Sequence, residues 1–171
     1  MIIRDAVVKE LPLIRAQRIA AYEEHAKRIP KEHWNALKHA ITSEVETNPA
    51  IEQIVAELDG KIAGSVVLYP PKTDAYEGKV EMLDYPEIRM LAVAPEAQGK
   101  GIATVLITEC ITRAKAKGCA SIGLHTGEFM KGARRLYERL GFERIPQYDF
   151  EPTNDGIIVK AYQLRIDKFF K

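Results

Sequence analysis

The stretch of this chain with the most chemistry in it is residues 91–103, Leu-Ala-Val-Ala-Pro-Glu-Ala-Gln-Gly-Lys-Gly-Ile-Ala. An apolar run stops at Pro95, a short loop of small residues follows, and the loop runs straight into a long amphipathic segment. Gly99 and Gly101 let backbone N–H groups come close to a ligand. A helix start adds unpaired donors and a partial positive charge. Together these make a phosphate cradle, to which Lys100 adds a full charge. The bland alternative is a loop that carries two glycines. The pattern is not a Walker loop, because no Gly-Lys-Ser/Thr follows four variable residues. It is not the dinucleotide fingerprint either, because Thr104 stands where a third glycine belongs.

Other reactive side chains form no comparable constellation. His33 and His39 are six apart on one helix and point different ways, so no metal site is expected. No Gly-x-Ser-x-Gly nucleophile is present. His125 ends a strand near the presumed cleft and reads as structural first and as a base second. Trp34 reads as core, and Cys119 as a packed small residue.

The elements that must position the loop follow from periodicity. Residues 2–8 read as a strand. Glu10-Leu11-Pro12 opens a helix whose loose apolar face is Leu11, Ile14, Ala21 and Tyr22. In a second helix Trp34, Leu37, Ile41 and Val45 recur at three and four. Residues 51–58 and 62–69 are strands joined by the hairpin signal Asp59-Gly60. Residues 70–86 form a long polar segment, and 88–94 a buried strand. The clearest helix is 101–117, ended by Gly118, with Glu109 and Arg113 as an i,i+4 pair. Then come a strand at 120–125, a helix at 129–140 ended by Gly141, and strands at 142–145 and 157–166. The order predicts a mixed α/β sheet in one domain, residues 1–171.

Composition narrows the partners. The chain has 171 residues, 46% hydrophobic, which suits one core. Lys and Arg number 25 against 24 Asp and Glu, so no basic excess points to nucleic acid. Residues 1–5 do not read as a signal peptide, and no run approaches a membrane span. Cys110 and Cys119 make no disulfide framework, so a soluble cytoplasmic protein is expected.

The glycine loop resembles the cofactor motif of the GNAT superfamily of N-acetyltransferases, Gln/Arg-x-x-Gly-x-Gly/Ala, filled here by Gln98, Gly101 and Ala103. The hairpin at 59–64, the Leu91-Ala92-Val93-Ala94-Pro95 strand end and the 133–142 stretch Ala-Arg-Arg-Leu-Tyr-Glu-Arg-Leu-Gly-Phe are similar to further parts of that family, in its order. Residues 9–50 match only in being two helices.

The resemblance implies a mostly antiparallel mixed sheet flanked by helices, with the fourth strand splayed from the fifth. It implies acetyl-CoA as acetyl donor and no metal. Pantetheine would pair with the backbone of Leu91, Ala92 and Val93. The pyrophosphate would lie on Gln98, Gly99, Lys100, Gly101, Ile102 and Ala103. Tyr137 matches the tyrosine that acts as general acid at the coenzyme sulfur; its alternative is a packed aromatic. Glu87 matches a glutamate that works as base through water; its alternative is a strand-end acid beside Arg89, with Glu81 and Asp84 as rivals. Where many members carry an asparagine before the last helix, this chain has Met130; Lys131, Arg134 and Arg135 are then candidates for the adenosine phosphate, with a solvated basic helix face the better reading of at least one of them.

Transfer to an amine by direct attack in a ternary complex is the activity the resemblance implies. The rivals are a non-catalytic acyl-CoA sensor on the same fold and an unrelated glycine-loop nucleotide binder. The acceptor is a small-molecule amine or a protein N-terminus, with a homodimer left open. Acceptor-side candidates are Tyr22, Glu23, Glu24, His25, Asp74, Glu77, Glu81, Asp84, Tyr148 and Asp149, and acids and tyrosines suit a cationic amine. Lys72, Lys79 and Arg28 lie among them and make that bias slight. Coenzyme A should raise the melting temperature, since a ligand bound only to the folded state stabilises it. Gly101→Asp should abolish that shift, and a wild-type protein unmoved by millimolar coenzyme A would remove the cofactor assignment.

Overall fold

The computed structural model describes residues 1–42, 48–73 and 82–170. Its strands are β1 (Ile2–Asp5), β2 (Glu52–Leu58), β3 (Lys61–Tyr69), β4 (Glu87–Val93), β5 (Ser121–Gly127), β6 (Glu143–Arg144) and β7 (Val159–Arg165). They form a single open sheet in the order β1-β2-β3-β4-β5-β7-β6. Every neighbouring pair is antiparallel except β4 and β5. The helices are α1 (Leu11–Glu23), α2 (Lys31–Thr42), α3 (Ile102–Ala116), α4 (Lys131–Arg139) and the short α5 (Ile166–Phe169). This is the mixed, mostly antiparallel α/β sheet expected from the order of elements.

Helices cover both faces of the sheet, and β3 shows it directly. Val66 and Leu68 pack with Leu106, Ile107 and Ile111 of α3, while Val67 and Tyr69 pack with Tyr22, Leu37 and Ile41 of α1 and α2. A strand buried on both sides reads as a continuous apolar run. That is why residues 62–69 lack the alternation of an exposed sheet.

Several boundaries differ from the sequence reading. β1 stops at Asp5, because Val8–Glu10 form a 3-10 turn in which the Glu10 carboxylate accepts hydrogen bonds from Arg4 and from the Val7 N–H. α2 buries His33 and Ile41, and Trp34 is only half-buried. Leu37 and Ile41 keep their expected places in the stripe, and only its first turn differs: His33 takes the interior position, where Asp155 is its carboxylate partner. Val45 lies outside the described residues. α4 starts at Lys131, so Phe129 sits in the turn before it.

The sheet and α3 meet most closely at Gly64. A Cβ there would stand 2.9 Å from the Ala92 carbonyl oxygen and 3.0 Å from Ile102 Cγ2. The first of these is backbone and cannot rotate away. Gly64→Ala should therefore destabilise the fold by roughly 1–3 kcal/mol through overpacking, read as a lowered urea midpoint at unchanged slope.

Candidate active site

β4 and β5 run parallel but share only two ladder positions, Glu87 with Gly123 and Ile88 with Leu124. Beyond Ile88 they part. The register between β3 and β4 shifts by one residue over the same stretch, and Met90 there adopts φ +59°, so β4 carries a bulge. The bulge bends β4 away from β5 and opens a cleft of about 1160 Å³ between them. Leu91, Ala92 and Val93 line one wall, and His125, Thr126 and Gly127 the other. The expected splay of the fourth and fifth strands is present.

The cleft runs to the glycine loop. Gly99 and Gly101 have φ of +81° and +79°, the left-handed region that glycine enters without strain. No side chain caps α3, whose N-cap is Gly101. The first N–H groups of the helix are therefore open donors, and nothing stands within 4 Å of a Cβ built at either glycine. Gln98, Gly99 and Ala103 line the cleft. Ile102 is 1% exposed, so only its backbone can face a ligand, and Lys100 is exposed at the rim. An uncapped helix start behind two glycines fits a pyrophosphate.

Tyr137 lines the cleft from α4 and is otherwise buried, its ring edge-on to Phe142 at 6.0 Å and tilted on Tyr162 at 6.4 Å. Burial pushes its hydroxyl well above the usual phenol range, and the neighbouring phenol of Tyr22 adds to this. It holds its proton at neutral pH.

Glu87 opens β4 but is only 5% exposed and does not itself line the cleft. Its Oε2 stands 3.5 Å from Nδ1 of His125, which does line it. His125 Nε2 lies 3.0 Å from the Tyr148 carbonyl oxygen. A carbonyl only accepts, so Nε2 carries the hydrogen and Nδ1 is the nitrogen turned to the carboxylate. His125, read from the sequence as mainly structural, is thus the member of this pair on the cleft wall.

Not every candidate reaches the cleft. Lys131 and Arg135 line it. Arg134 instead donates to the Tyr162 hydroxyl at 3.2 Å and the Glu128 carbonyl at 3.1 Å, which ties α4 to β7 and to the end of β5. Met130 is buried and accepts from Thr126 Oγ1. On the acceptor side Tyr22, Glu24, His25 and Arg28 line the cleft. Asp149 is engaged by both Arg144 Nη atoms and by the Ala161 N–H, and Tyr148 contributes its carbonyl. Asp84 is exposed, while Asp74, Glu77, Lys79 and Glu81 lie outside the described residues. Among the described residues no group of three His, Cys, Asp or Glu could hold a metal ion.

Two features were missed in the sequence. Arg18 occupies the apolar stripe of α1, between Ile14 and Tyr22, and is 2% exposed. Its position four residues from each was the available signal. His33 is the second: its Nδ1 is 2.8 Å from Asp155 Oδ2, which fastens α2 to the segment before β7. Phe129 stands edge-on to both His25 and His33, at 5.5 and 5.6 Å.

A glycine-cradled helix start, a splayed parallel strand pair and a cleft between them define an acyl-CoA-binding transferase fold. The family model of the acetyltransferase (GNAT) family matches residues 14–142, and the chain belongs to that family. It is 36% identical over 89 residues to an uncharacterised N-acetyltransferase of Methanocaldococcus jannaschii, a match covering 52% of this chain and 38% of that protein. It is 30% identical over 112 residues to an acetyltransferase of Pectobacterium atrosepticum, covering 66% of this chain and 71% of the relative. Its fold is similar to that of the PaiA N-acetyltransferase of Thermoplasma acidophilum in complex with coenzyme A, with TM-score 0.68, 18% identity, and coverage of 96% and 98% of the two chains. An acetyltransferase of GNAT family from Staphylococcus aureus aligns with TM-score 0.68 at 13% identity over 96% and 98%. Among the described residues no helix is long and apolar enough to cross a membrane.

The His33–Asp155 contact generates a pH test. Burial opposes the Asp155 charge, but hydrogen bonds from Thr153, the Ile157 N–H and His33 outweigh it and hold the carboxyl at about 2, below its ordinary 3.8. A carboxyl depressed in the folded state adds stability that is full above the ordinary value and lost as pH falls through the depressed one. Asp155→Asn should therefore be less stable than wild type at neutral pH. The gap in urea unfolding should narrow between about pH 4 and pH 2, and a constant gap would deny the carboxylate this role.

Proposed function

We propose that this protein, as one domain over residues 1–171, transfers an acetyl group from acetyl-CoA to a primary amine by direct attack in a ternary complex in the cytoplasm. The observation that carries the reading is that one cleft is lined at once by the open glycine cradle, by Tyr137 and by His125 of the Glu87–His125 pair. The backbone of residues 98–103 holds the pyrophosphate, and the β5-facing edge of Leu91, Ala92 and Val93, which has no strand partner, aligns the pantetheine arm. Lys131 and Arg135 supply charge for the adenosine end, with Arg134 holding α4 in place.

The acceptor amine must lose a proton to attack the thioester carbonyl. In this reading the proton passes to the space between His125 Nδ1 and Glu87, with His125 taking it at the cleft wall. The new C–N bond forms, the adduct nitrogen releases its second proton to solvent, the C–S bond breaks, and the departing sulfur takes a proton from the Tyr137 hydroxyl, which is reprotonated from solvent. The raised phenol keeps that proton in place until the thiolate develops. The products are an N-acetyl amine and coenzyme A.

Tyr137→Phe keeps the ring and removes the hydroxyl. It should lower kcat by about 10² or more while coenzyme A affinity changes little, read as free thiol release over an amine panel. Glu87→Gln should depress the rate most at low pH and least at high pH, where more of the acceptor is already free amine. A mutant profile of wild-type shape would take the base role from Glu87. Coenzyme A binding without turnover on any amine would replace transfer by sensing.

A further inference from the structure

α1 lies across the acceptor half of the cleft, and its apolar face carries a charge. Arg18 is 2% exposed, among the most buried polar side chains of the chain. Its Nη1 donates to the Ile41 carbonyl at 2.7 Å, and its Nε has no protein partner. Among the described residues no ion pair joins it to a carboxylate. Among the described residues, the charged and titratable groups that bear on it are cations or phenols: Tyr22, Arg89, Tyr69 and Arg15. Burial pushes its guanidinium down, and Arg89 pushes in the same direction. A buried guanidinium is costly unless an anion faces it, and arginine's fork matches a carboxylate through two parallel hydrogen bonds.

Arg18 does not itself line the cleft, but its neighbours place this charge directly behind the wall. Tyr22 is one turn further along α1, Ile41 accepts from Arg18, and Tyr69 and Arg89 belong to β3 and β4; all four line the cleft. Arg89 lies 5.7 Å from the centre of the Tyr69 ring and brings a second positive charge to the same end. The glycine cradle is at the other end of β4. Arg89 to Val93 alone spans roughly 13 Å at ~3.3 Å per residue. The cofactor pyrophosphate is thus held elsewhere, and the Arg18 end falls to the acceptor.

We propose that Arg18, backed by Arg89, binds a carboxylate carried by the acceptor, so that the preferred substrates are amino-acid-like amines rather than simple cationic amines. This rests on the transferase reading above, and it reverses the slight bias toward cationic acceptors drawn from the sequence. Tyr22 and Tyr69 frame the site, and their phenols can donate to the same carboxylate.

Matched ligands decide it without reliance on a mutant. A panel of amino acids is compared with their amides and with the amines lacking the carboxylate, by kcat/KM from thiol release. The corresponding N-acetyl acids and amides are compared by thermal shift in the presence of coenzyme A. The expected result is a preference of about tenfold or more for the carboxylate in kcat/KM, the scale of one charge-assisted hydrogen bond, and a shift with the acid but not the amide. An aminophosphonate arm tests the alternative anion; its outperforming the carboxylate overturns the carboxylate assignment. Arg18→Met should bring the acid-to-amide ratio toward one, and Arg18→Lys should keep part of it. Equal treatment of acid and amide by wild type overturns the proposal. Carboxylate-selective binding without turnover on any acceptor overturns the transferase reading and leaves the anion site standing.

Discussion

Two ladder positions join β4 to β5, and the stopping of that ladder after Ile88 shapes the centre of the molecule. A parallel pair that continued would consume the backbone groups of Arg89 to Val93 and close the sheet. The bulge at Met90 prevents this, because an extra residue on one strand bends it and increases the local twist. Backbone donors and acceptors left unpaired inside a protein must find a partner. An extended ligand with its own amides can serve as that partner, as the proposed pantetheine arm would.

The remaining elements secure the two rims of that opening. α3 is anchored against β3 and β4 through Ile102 and Leu106, so closely that residue 64 has no room for a side chain. That anchoring points its uncapped start along the cleft. On the opposite face α1 and α2 cover β3 and β4 through Tyr22, Leu37 and Ile41, and α2 is fastened to the segment before β7 by His33 and Asp155. The cofactor half is thus built on a rigid helix start, and the acceptor half on two helices tied down by polar contacts.

Charge follows the same division. The cradle supplies partial charges from backbone amides, with full positive charges from Lys100 in the loop and from Lys131 and Arg135 at the α4 end. The other half holds ionisable side chains in low-dielectric surroundings: Arg18, and the Glu87–His125 pair with its side chains at most 7% exposed. Buried ionisable groups are expensive, so their presence in and just behind one wall of a cleft marks a candidate place for a charged or proton-exchanging group.

Periodicity and local signals were sufficient for the mixed sheet, the glycine loop opening α3, the hairpin at Asp59-Gly60 and the family resemblance. Each of these is a property of neighbouring residues: amphipathic spacing, turn chemistry and a helix start need no distant partner. Tyr137 and Glu87 were legible only through motif position, and the tertiary structure alone set Glu87 behind His125, because residues 87 and 125 meet only where β4 and β5 pair. The same holds for Arg134, a plausible phosphate contact by type that is taken up by Tyr162 and the Glu128 carbonyl. Trp34 and His33 exchanged their expected places for a contact 122 residues away, Asp155. Arg18 stood in an apolar stripe from the outset, but that α1 lies over the cleft was decided by packing. The depth of a charge depends on which surfaces close over it, and that is a long-range property no local pattern encodes.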